Sequence, residues 1–378
     1  MTGRVLVTGG AGFIGSWLTQ DLVSSGVPVR VIDNLSPQIH GEIPNLGYPW
    51  LDHPSIEFRR GDVRDVTFLN EVLRDCEVVV HLAAETGTGQ SMYQIAHYYE
   101  VNVQATAALL EFIAVCHNSI KKIILASSRS IYGEGAYEID GQIIVPSPRT
   151  PQQLAAAQWD PVHSDGRALR SIATPEFVQP RPASIYATTK VAIEQLGAVF
   201  AETYGKSVAA LRFQNVFGER QSLRNPYTGI LSIFSNKMRQ GLPISVFEDG
   251  NESRDFVHVK DVVRAIRSAV ERLPQGFHAI NIGSGQRTSV KEIAERLKVM
   301  LKSASEIRLS GEFRCGDIRH CYADLSRARD LLGYAPSISL NEGLERFVSW
   351  VMTQPLVADR SEVAQKELVA RGLGFVAK

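Results

Sequence analysis

The sequence contains few cysteines, and their arrangement excludes several kinds of site. Four occur in 378 residues, and none forms a Cys-x-x-Cys pair or lies with histidines at metal-ligand spacing; they are Cys76, Cys116, Cys315 and Cys321. A disulfide scaffold or a structural zinc site needs such spacing. We therefore expect reduced thiols, no metal site and a cytoplasmic protein.

The sequence also lacks an excess of either charge, with 40 Lys and Arg against 40 Asp and Glu. A nucleic-acid-binding protein would show a basic surplus or stripe, and an anionic membrane would attract one. No apolar stretch approaches the roughly 18–20 residues of a membrane helix. The first apolar stretch, Arg4–Thr8, is too short for the core of a signal peptide. We expect neither nucleic acid nor a membrane as a partner.

The chain does contain a clear alternation of short apolar runs and helix-length segments. Apolar residues make up 44% and charged residues 21%, which excludes a mainly disordered chain. The predicted buried strands are Arg4–Thr8, Pro28–Ile32, Val78–Leu82 and Ile123–Ala126. The predicted helices are Ile14–Ser24, Thr67–Leu73, Ala96–Cys116 and Tyr186–Tyr204. This alternation predicts βαβ units and an α/β fold with a parallel sheet.

The length of 378 residues suggests two domains. Residues 1–215 carry the alternation and form the first predicted domain, which a proline-rich insertion interrupts at about 134–183. Residues 216–378 mix strands with helices and predict a smaller, mixed α/β substrate domain. We expect about 255–270 of this second part to pack back on the first domain.

A glycine-rich turn follows the first predicted strand and leads into the first helix. Its residues are Gly9, Gly10, Ala11, Gly12, Phe13, Ile14 and Gly15. Glycines at this spacing permit a tight turn, close approach of a pyrophosphate and close packing of helix and strand. The helix N-terminus supplies N–H groups and positive dipole for the phosphates. Because the turn lies between a strand and a helix, the pattern predicts a Rossmann-type doubly wound sheet that binds a dinucleotide. The predicted contacts of the turn are Gly9, Gly12, Phe13, Ile14 and Gly15.

Further cofactor contacts are predicted where other strands end. Asp33, followed by Asn34, ends the second strand, and a carboxylate there binds ribose hydroxyls and repels a 2′-phosphate, which favours NAD over NADP. Asp62 could accept from the adenine amino group, or it could be a helix cap or loop carboxylate. The remaining predicted contacts follow later strands and are Val63, Leu82, Ala83 and Ala84.

A second motif, Tyr186 and Lys190, has the spacing i, i+4 on a predicted helix, so both side chains lie on one face. A free phenol, with a pKa near 10, is a weak base at neutral pH. A lysine ammonium one turn away, together with an oxidised nicotinamide, would lower the pKa of Tyr186. Lys190 could also reach the nicotinamide ribose. The serine run ending at Ser130 follows the fourth strand and could supply a hydroxyl to the same substrate oxygen.

With these motifs, residues 1 to about 350 resemble the extended short-chain dehydrogenase/reductase family, specifically its NAD-dependent nucleotide-sugar epimerases and dehydratases. Beyond the glycine turn and the Tyr186–Lys190 pair, the matching pieces are His81–Ala84, Asn102, the serines before Tyr132-Gly133, Leu211–Gly218, Arg254–Val259, Asn281–Gly285 and Arg314–Asp317. The resemblance implies Ser128, Tyr186 and Lys190 as catalytic residues. It implies Asn102 as a further cofactor contact, and the implied substrate contacts are Arg129, Asn215, Arg254, Arg314 and Asp317.

The resemblance also narrows the reaction. Family dehydratases have an Asp-Glu pair where this chain has Arg129 and Ser130, which cannot perform the proton transfers of water elimination. A Ser-Tyr-Lys set suffices to invert C4 through a 4-keto sugar. The run Glu85–Tyr93, Arg129 and the long segment before Tyr186 are similar to dTDP-L-rhamnose 4-epimerases, which form dTDP-6-deoxy-L-talose. UDP-hexose 4-epimerisation, reduction of a 4-keto sugar and a non-catalytic dinucleotide-binding subunit remain alternatives.

Four expectations concern the remaining segments. Helices Ala96–Cys116 and Tyr186–Tyr204 match the pair that builds a four-helix dimer interface in the family, which implies a homodimer. Cys321 falls where hexose 4-epimerases have a residue that limits pocket size, although it could equally be a core thiol. The insertion between Gly133 and Tyr186 could be a lid, a specificity wall or a dimer contact. A polar C-terminal helix is predicted over Arg360–Arg371.

Overall fold

The computed structural model describes residues 3–42, 47–48, 50–117, 119–225, 229–314, 316–359, 366–367 and 369–376. Up to the predicted insertion the elements are β1 (Arg4–Thr8), α1 (Phe13–Ser24), β2 (Val29–Asp33), α2 (Pro37–His40), β3 (Ile56–Arg60), α3 (Val66–Val72), β4 (Cys76–His81), α4 (Thr88–Ser91), α5 (Ile95–Tyr99), α6 (Ala105–Val115) and β5 (Lys122–Ser128). Cys315 and most of the predicted helix Arg360–Arg371 lie outside the described residues.

The rest of the chain supplies two further strands of the main sheet and several small sheets. Its elements are β6 (Tyr137–Ile139), β7 (Gln142–Ile144), α7 (Pro151–Ala155), β8 (Arg170–Ser171), α8 (Ile185–Tyr204), β9 (Ser207–Phe213), β10 (Asn215–Phe217), α9 (Ile230–Arg239), β11 (Ile244–Val246), β12 (Ser253–Arg254), β13 (Phe256–His258), α10 (Val259–Arg272), β14 (Gly276–Ile282), β15 (Thr288–Ser289), α11 (Val290–Met300), β16 (Ile307–Leu309), β17 (Glu312–Arg314), β18 (His320–Cys321), α12 (Ser326–Leu332), α13 (Leu340–Thr353) and β19 (Gly374–Val376).

The central sheet has seven strands in the order β14-β9-β5-β4-β1-β2-β3, and every neighbouring pair is parallel. The strand order reverses between β1 and β4, so the loops at their carboxyl ends diverge and leave a crevice there. The predicted α/β fold with a doubly wound parallel sheet is confirmed.

Both faces of this sheet are covered, because alternate strand residues enter opposite cores. Val5 and Val7 of β1 pack with α1 and α10, whereas Leu6 of the same strand packs with α3, α6 and α8. Strands buried on both faces account for the near-continuous Val, Ile and Leu runs in the sequence. Helix α10 (Val259–Arg272) contacts α1 in the first of these two cores.

The predicted single helix Ala96–Cys116 is interrupted. The structure has α5, then a π-helical turn over Glu100–Gln104, then α6. Buried residues on the two sides of this turn, such as Tyr98, Ala105 and Leu109, keep separations typical of an α-helix, so the sequence pattern does not reveal the π turn. The turn contains Asn102, which is 2% exposed and hydrogen-bonded to the neighbouring helix α8 through Thr189.

The insertion has structure of its own. Strands β7, β6 and β8 form a three-stranded antiparallel sheet, and α7 begins at Pro151 behind the capping side chain of Thr150. Arg149 joins this segment to the C-terminal part, because its guanidinium contacts Glu134 at 2.9 Å and Glu248 at 2.8 Å. The carboxylates and the arginine side chain are each 5% exposed or less.

The C-terminal part surrounds a separate core formed by α9, α11 and α13 with β11 and β13. The chain then returns, and β19 pairs antiparallel with β17. Among the described residues of the predicted tail helix, 366–367 and 369–370 are helical. In the part of the chain described here, no helix has the length and apolar character required to cross a bilayer.

Candidate active site

A cavity of about 520 Å³ opens at the carboxyl ends of β1, β4, β5 and β9. The predicted cofactor residues that line it are Gly9, Gly12, Phe13, Ile14, Gly15, Asp33, Asn34, Asp62, Val63, Leu82, Ala83 and Ala84. Ser128, Arg129, Tyr186, Lys190 and Asn215 line the same cavity. Asn102, Arg254, Arg314 and Asp317 are not among its lining residues.

The glycine turn leaves room only for backbone. Gly9 has a φ of +65°, and a Cβ there would lie 2.8 Å from the backbone N of Ala83. A Cβ on Gly15 would lie 2.3 Å from the carbonyl oxygen of Gly9. Helix α1 begins after Gly12 without a side-chain cap. This cradle and helix N-terminus fit the pyrophosphate of a dinucleotide.

The Asp33 carboxylate is fixed beside this turn. Its Oδ2 accepts from Ala11 N at 3.1 Å, and its Oδ1 accepts from Leu35 N at 2.9 Å. The side chain is 9% exposed and lines the cavity, where its remaining acceptor capacity fits ribose hydroxyls. The sequence prediction that Asp33 binds the adenosine ribose, and thereby favours NAD over NADP, stays a prediction.

Asp62 is engaged by protein donors. The Arg64 guanidinium donates to both carboxylate oxygens at 3.0 and 2.9 Å, and Asn34 Nδ2 donates to Oδ2 at 3.0 Å. The side-chain hydrogen bonds from Arg64, which outweigh partial burial, hold the pKa of Asp62 at about 2. Asp62 Oδ1 also accepts from Arg64 N, which closes a local turn. These contacts favour the alternative in which Asp62 is a loop carboxylate and does not bind adenine.

His81 holds the loop after β4 in place. Its Nδ1 lies 2.8 Å from Thr8 Oγ1, and its Nε2 lies 3.1 Å from Thr106 Oγ1. Burial, with a smaller contribution from the charge of Lys190, lowers the pKa of His81 to about 3, so the ring is neutral. Thr8 Oγ1 also accepts from Ala83 N at 3.1 Å, which fixes a predicted cofactor contact.

Asn102 lies behind the cavity. Its Oδ1 accepts from Glu85 N at 2.8 Å, while its Nδ2 donates to Glu85 O at 3.1 Å and to Thr189 Oγ1 at 3.0 Å. These bonds join the loop after β4 to helix α8. Asn102, which was predicted as a cofactor contact, therefore orients the backbone of Glu85 and the side chain of Thr189.

Ser128, Tyr186 and Lys190 meet at the centre of the cavity. Ser128 ends β5, while the other two residues lie one turn apart near the start of α8, which Ser184 caps through a bond from Ala187 N. Lys190 Nζ donates to Ala126 O at 2.8 Å and lies 5.6 Å from the centroid of the Tyr186 ring. The predicted helical face is therefore realised.

The electrostatics of this group differ from the sequence expectation. Burial raises the pKa of Tyr186, and a hydrogen bond with Ser128 and the positive charge of Arg129 offset part of that rise. Burial lowers the pKa of Lys190 to about 8. The sequence predicts that Lys190 lowers the pKa of Tyr186, whereas in the structure the positive charge that does so belongs to Arg129.

Arg129 begins the 3-10 turn Arg129–Tyr132 that follows Ser128. Its Nη1 atom is buried and has no hydrogen-bond partner among the described residues. Burial and the nearby positive charge of Arg254 lower the pKa of the guanidinium, and Asp317 and Cys321 act in the opposite direction. A buried guanidinium with an unpaired Nη1 atom at a cavity wall fits an anionic or oxygen-rich ligand.

Arg254, Arg314 and Asp317 form one cluster next to the cavity. Arg254 Nη2 lies 3.2 Å from Asp317 Oδ1, and the Arg314 guanidinium lies over the Phe247 ring at 4.8 Å. Burial would raise the pKa of Asp317, but the charges of Arg254 and Arg314 lower it. The electrostatic contact with Arg129 connects this cluster to the cavity.

Cys321 is a core thiol. It is 1% exposed and packs in a small apolar cluster with Ile131, Tyr132 and Val178. Burial raises the pKa of its thiol. The structure therefore contradicts the interpretation of Cys321 as a gate of the sugar pocket and supports the alternative.

Sequence reasoning assigned no role to several polar residues of the cavity wall. These are Gln214, Gln221, Ser222 and Asn225, which follow the end of β9. Their position after a buried strand was the available signal, since carboxyl ends of parallel strands meet at one edge. Only Asn215 in this stretch was predicted.

Comparison with known proteins gives a consistent result. A family model described as NAD dependent epimerase/dehydratase family matches residues 5–155 and 164–283. A dTDP-L-rhamnose 4-epimerase of Burkholderia thailandensis is 40% identical over 351 residues, covering 92% of this chain and 94% of that protein. A putative UDP-glucose 4-epimerase of Methanocaldococcus jannaschii is 32% identical, covering 92% and 98%.

Solved structures show the same likeness. A UDP-glucuronic acid 4-epimerase of Bacillus cereus, in complex with UDP-glucuronic acid and NAD, has a TM-score of 0.76 at 27% identity, covering 92% of this chain and 99% of that one. A UDP-glucose 4-epimerase of Thermotoga maritima, with UDP-glucose, has a TM-score of 0.74 at 29% identity, covering 92% and 98%.

Proposed function

The chain belongs to the NAD-dependent epimerase/dehydratase family, and we propose that it interconverts dTDP-L-rhamnose and dTDP-6-deoxy-L-talose by inverting C4. At the coarser level it is an isomerase, an NAD-dependent nucleotide-sugar 4-epimerase. The observation that carries this activity is the meeting of Ser128, Tyr186 and Lys190 in one cavity with a dinucleotide cradle.

In the proposed reaction Tyr186, as phenolate, takes the proton of the C4 hydroxyl, and Ser128 hydrogen-bonds the same oxygen. Bound NAD supplies reversible two-electron oxidation at C4, so the sugar passes through a 4-keto form without net redox change. The positive charge of Arg129 and the hydrogen bond with Ser128 favour the phenolate. Tyr186 then returns the proton to the oxygen after the sugar has turned its other face.

The cofactor would be held by this chain's own groups. The turn Gly9–Gly15 and the start of α1 would receive the pyrophosphate, and Asp33 would accept from the adenosine ribose. Lys190 would reach the nicotinamide ribose from α8.

The substrate diphosphate is assigned to Arg254 and Arg314, with Asp317 bracing Arg254. Asn215 lines the cavity next to them, and its Oδ1 has no hydrogen-bond partner among the described residues. Guanidinium groups suit phosphate oxygens because they donate in a bidentate geometry. Two arginines at the substrate site would therefore be enough to bind an anionic substrate, although the net charge of the chain is zero.

The dTDP-L-rhamnose substrate is supported by the 40% identity to the Burkholderia thailandensis enzyme across 92% of this chain. UDP-hexose 4-epimerisation is the second candidate, supported by the 32% identity to the Methanocaldococcus jannaschii protein. A non-catalytic subunit is disfavoured because Ser128, Tyr186 and Lys190 are all present.

The test is incubation of the purified protein with dTDP-L-rhamnose, UDP-glucose and UDP-glucuronate, followed by NMR of the products. We expect C4 inversion of dTDP-L-rhamnose without added cofactor. Stoichiometric reduction of added NAD⁺ or NADP⁺, with accumulation of the 4-keto sugar, would instead identify a 4-keto-sugar reductase running in reverse. In the same assay Tyr186→Phe should lower kcat at least about 100-fold, because the proton acceptor is lost; full activity of that variant overturns the mechanism.

We also propose a homodimer through α5, α6 and α8. Large apolar side chains on these helices are exposed, including Val115 at 78%, Val199 at 67% and Ile95 at 49%. Pairing of such faces would cover them. Light scattering on the purified protein should give twice the chain mass, and a monomer mass would contradict the proposal.

A further inference from the structure

Gln214 lies beside the reacting centre. Strands β5 and β9 pair so that Ser128 is opposite Phe213, and Gln214 is the next residue along the chain. Its backbone N donates to Ile282 O at 2.9 Å on the other neighbouring strand. The backbone position of Gln214 is therefore fixed by both adjacent strands at the edge where Ser128 ends.

The amide of Gln214 is buried and unsatisfied. The residue is 5% exposed and lines the cavity, yet neither Oε1 nor Nε2 has a hydrogen-bond partner among the described residues. A buried amide without partners is unfavourable in a folded protein. Its retention at the cavity wall therefore indicates that a ligand completes the bonds.

Neighbouring protein groups are already engaged. Asp255, which adjoins the Gln214 side chain near Gly283, accepts from Ser284 N at 2.7 Å and Ser284 Oγ at 2.6 Å. It also accepts from Gly285 N at 2.9 Å and from Ala323 N at 3.2 Å. With four donors, this carboxylate has little remaining capacity for Gln214 Nε2.

The chemistry of an amide selects its ligand. Gln214 offers one acceptor and two donors, so its best partner carries both a donor and an acceptor, as a sugar hydroxyl does. The ring hydroxyl groups of a hexose can satisfy both the acceptor Oε1 and the donor Nε2.

We propose that Gln214 binds the sugar of the nucleotide-sugar substrate through donor and acceptor bonds to its hydroxyl groups. This assignment rests on the proposed function for the sugar that fills the cavity. It makes Gln214 a specificity-determining residue, separate from the proton transfer by Tyr186.

The test uses Gln214→Met, which keeps the side-chain length and removes both polar atoms. In the NAD-saturated protein, calorimetry compares dTDP-L-rhamnose with dTDP, and UDP-glucose with UDP. The informative pair is the one in which the wild type binds the nucleotide sugar more tightly than the bare nucleotide. For that nucleotide sugar we expect the variant to bind roughly 10- to 100-fold more weakly. The affinity for the bare nucleotides should stay within about 2-fold, because Gln214 adjoins the sugar.

A stability readout separates this role from a structural one. Removing an unsatisfied buried amide should leave the thermal unfolding midpoint of the apo protein unchanged or raise it, whereas a structural residue would lower it. Exposed Gln158→Met is the matched control and should change neither quantity. If Gln214→Met does not fold, the isosteric Gln214→Glu should show the same selective loss of nucleotide-sugar affinity.

Three outcomes overturn the assignment. These are an unchanged nucleotide-sugar affinity, an equal loss for sugar and bare nucleotide, and a loss of bound NAD that would place the amide on the nicotinamide. Failure of the proposed function is read separately, as absence of C4 inversion by the wild type.

Discussion

At the scale of single residues, the balance around Tyr186 decides whether the site can act as a base. The protein environment opposes the phenolate, and the two groups that favour it are Ser128 and the charge of Arg129. Arg129 occupies the position at which family dehydratases have an Asp. It cannot transfer protons itself, but its charge lowers the pKa of Tyr186, which can.

We predict that Arg129→Met shifts the rising limb of the kcat–pH profile to higher pH. Loss of the positive charge raises the pKa of Tyr186, so a higher pH is needed to form the phenolate. Arg129→Lys keeps the charge and should stay closer to the wild-type profile. A profile that keeps its position while KM alone increases would assign Arg129 to substrate binding only.

Glu252 gives a second residue-scale prediction. It is 6% exposed, its Oε2 has no partner among the described residues, and burial raises its pKa from 4.5 to about 8. Between these two pH values the folded state binds the proton and the unfolded state does not, so stability falls as pH rises.

We expect Glu252→Gln to be more stable than wild type by about 2 kcal/mol or more at pH 8, with the gain vanishing near pH 4.5. Thermal or urea unfolding at several pH values measures this. Exposed Glu295→Gln should show no such dependence. A gain that is the same at both ends of the pH range would contradict the raised pKa.

At the scale of elements, the insertion is tied to the C-terminal part by buried ion pairs. Besides its contacts with Glu134 and Glu248, Arg149 donates from Nη2 to the carbonyl oxygen of Asp317 at 2.9 Å. Arg319 extends the network to Asp249 and Glu248. The insertion therefore supports the loop that carries Asp317 and positions Arg254.

Arg149→Met should destabilise the protein by about 3–5 kcal/mol, because Glu134 would remain buried without its ion-pair partner and Glu248 would keep only Arg319. Urea unfolding measures this loss, and KM for the nucleotide sugar should rise as the Asp317 loop loosens. The matched control is Arg167→Met in the same insertion, whose ion pairs with Asp140 and Asp165 are exposed. That control should unfold like wild type; equal losses in both variants would contradict the buried network.

What the sequence could predict follows from how local each signal is. The glycine turn and the Tyr186–Lys190 pair are short-range patterns, so their positions in the cavity were predictable. Arg149 and Glu248 are 99 residues apart, and no spacing rule links them. The π turn within the predicted helix Ala96–Cys116 was not predictable, because the buried residues on its two sides keep the spacing of an α-helix.

At the scale of the whole molecule, one edge of the sheet brings the glycine turn together with Ser128, Tyr186 and Lys190. In our proposal the C-terminal part binds the substrate. Equal numbers of acidic and basic residues are compatible with this proposal, because the anionic ligands would bind at a helix N-terminus and at a few arginines. The insertion adds length to the chain and, through Arg149, a hydrogen bond to the carbonyl oxygen of Asp317.

The central claim is that this site inverts C4 through a 4-keto sugar while the hydrogen on carbon never exchanges with water. The most direct measurement is epimerisation in D2O, with the product analysed by NMR and mass spectrometry. The account predicts an inverted C4 that carries no solvent deuterium, with C3 and C5 also unlabelled. Deuterium on C3, C4 or C5 would show proton exchange at carbon and would contradict the account.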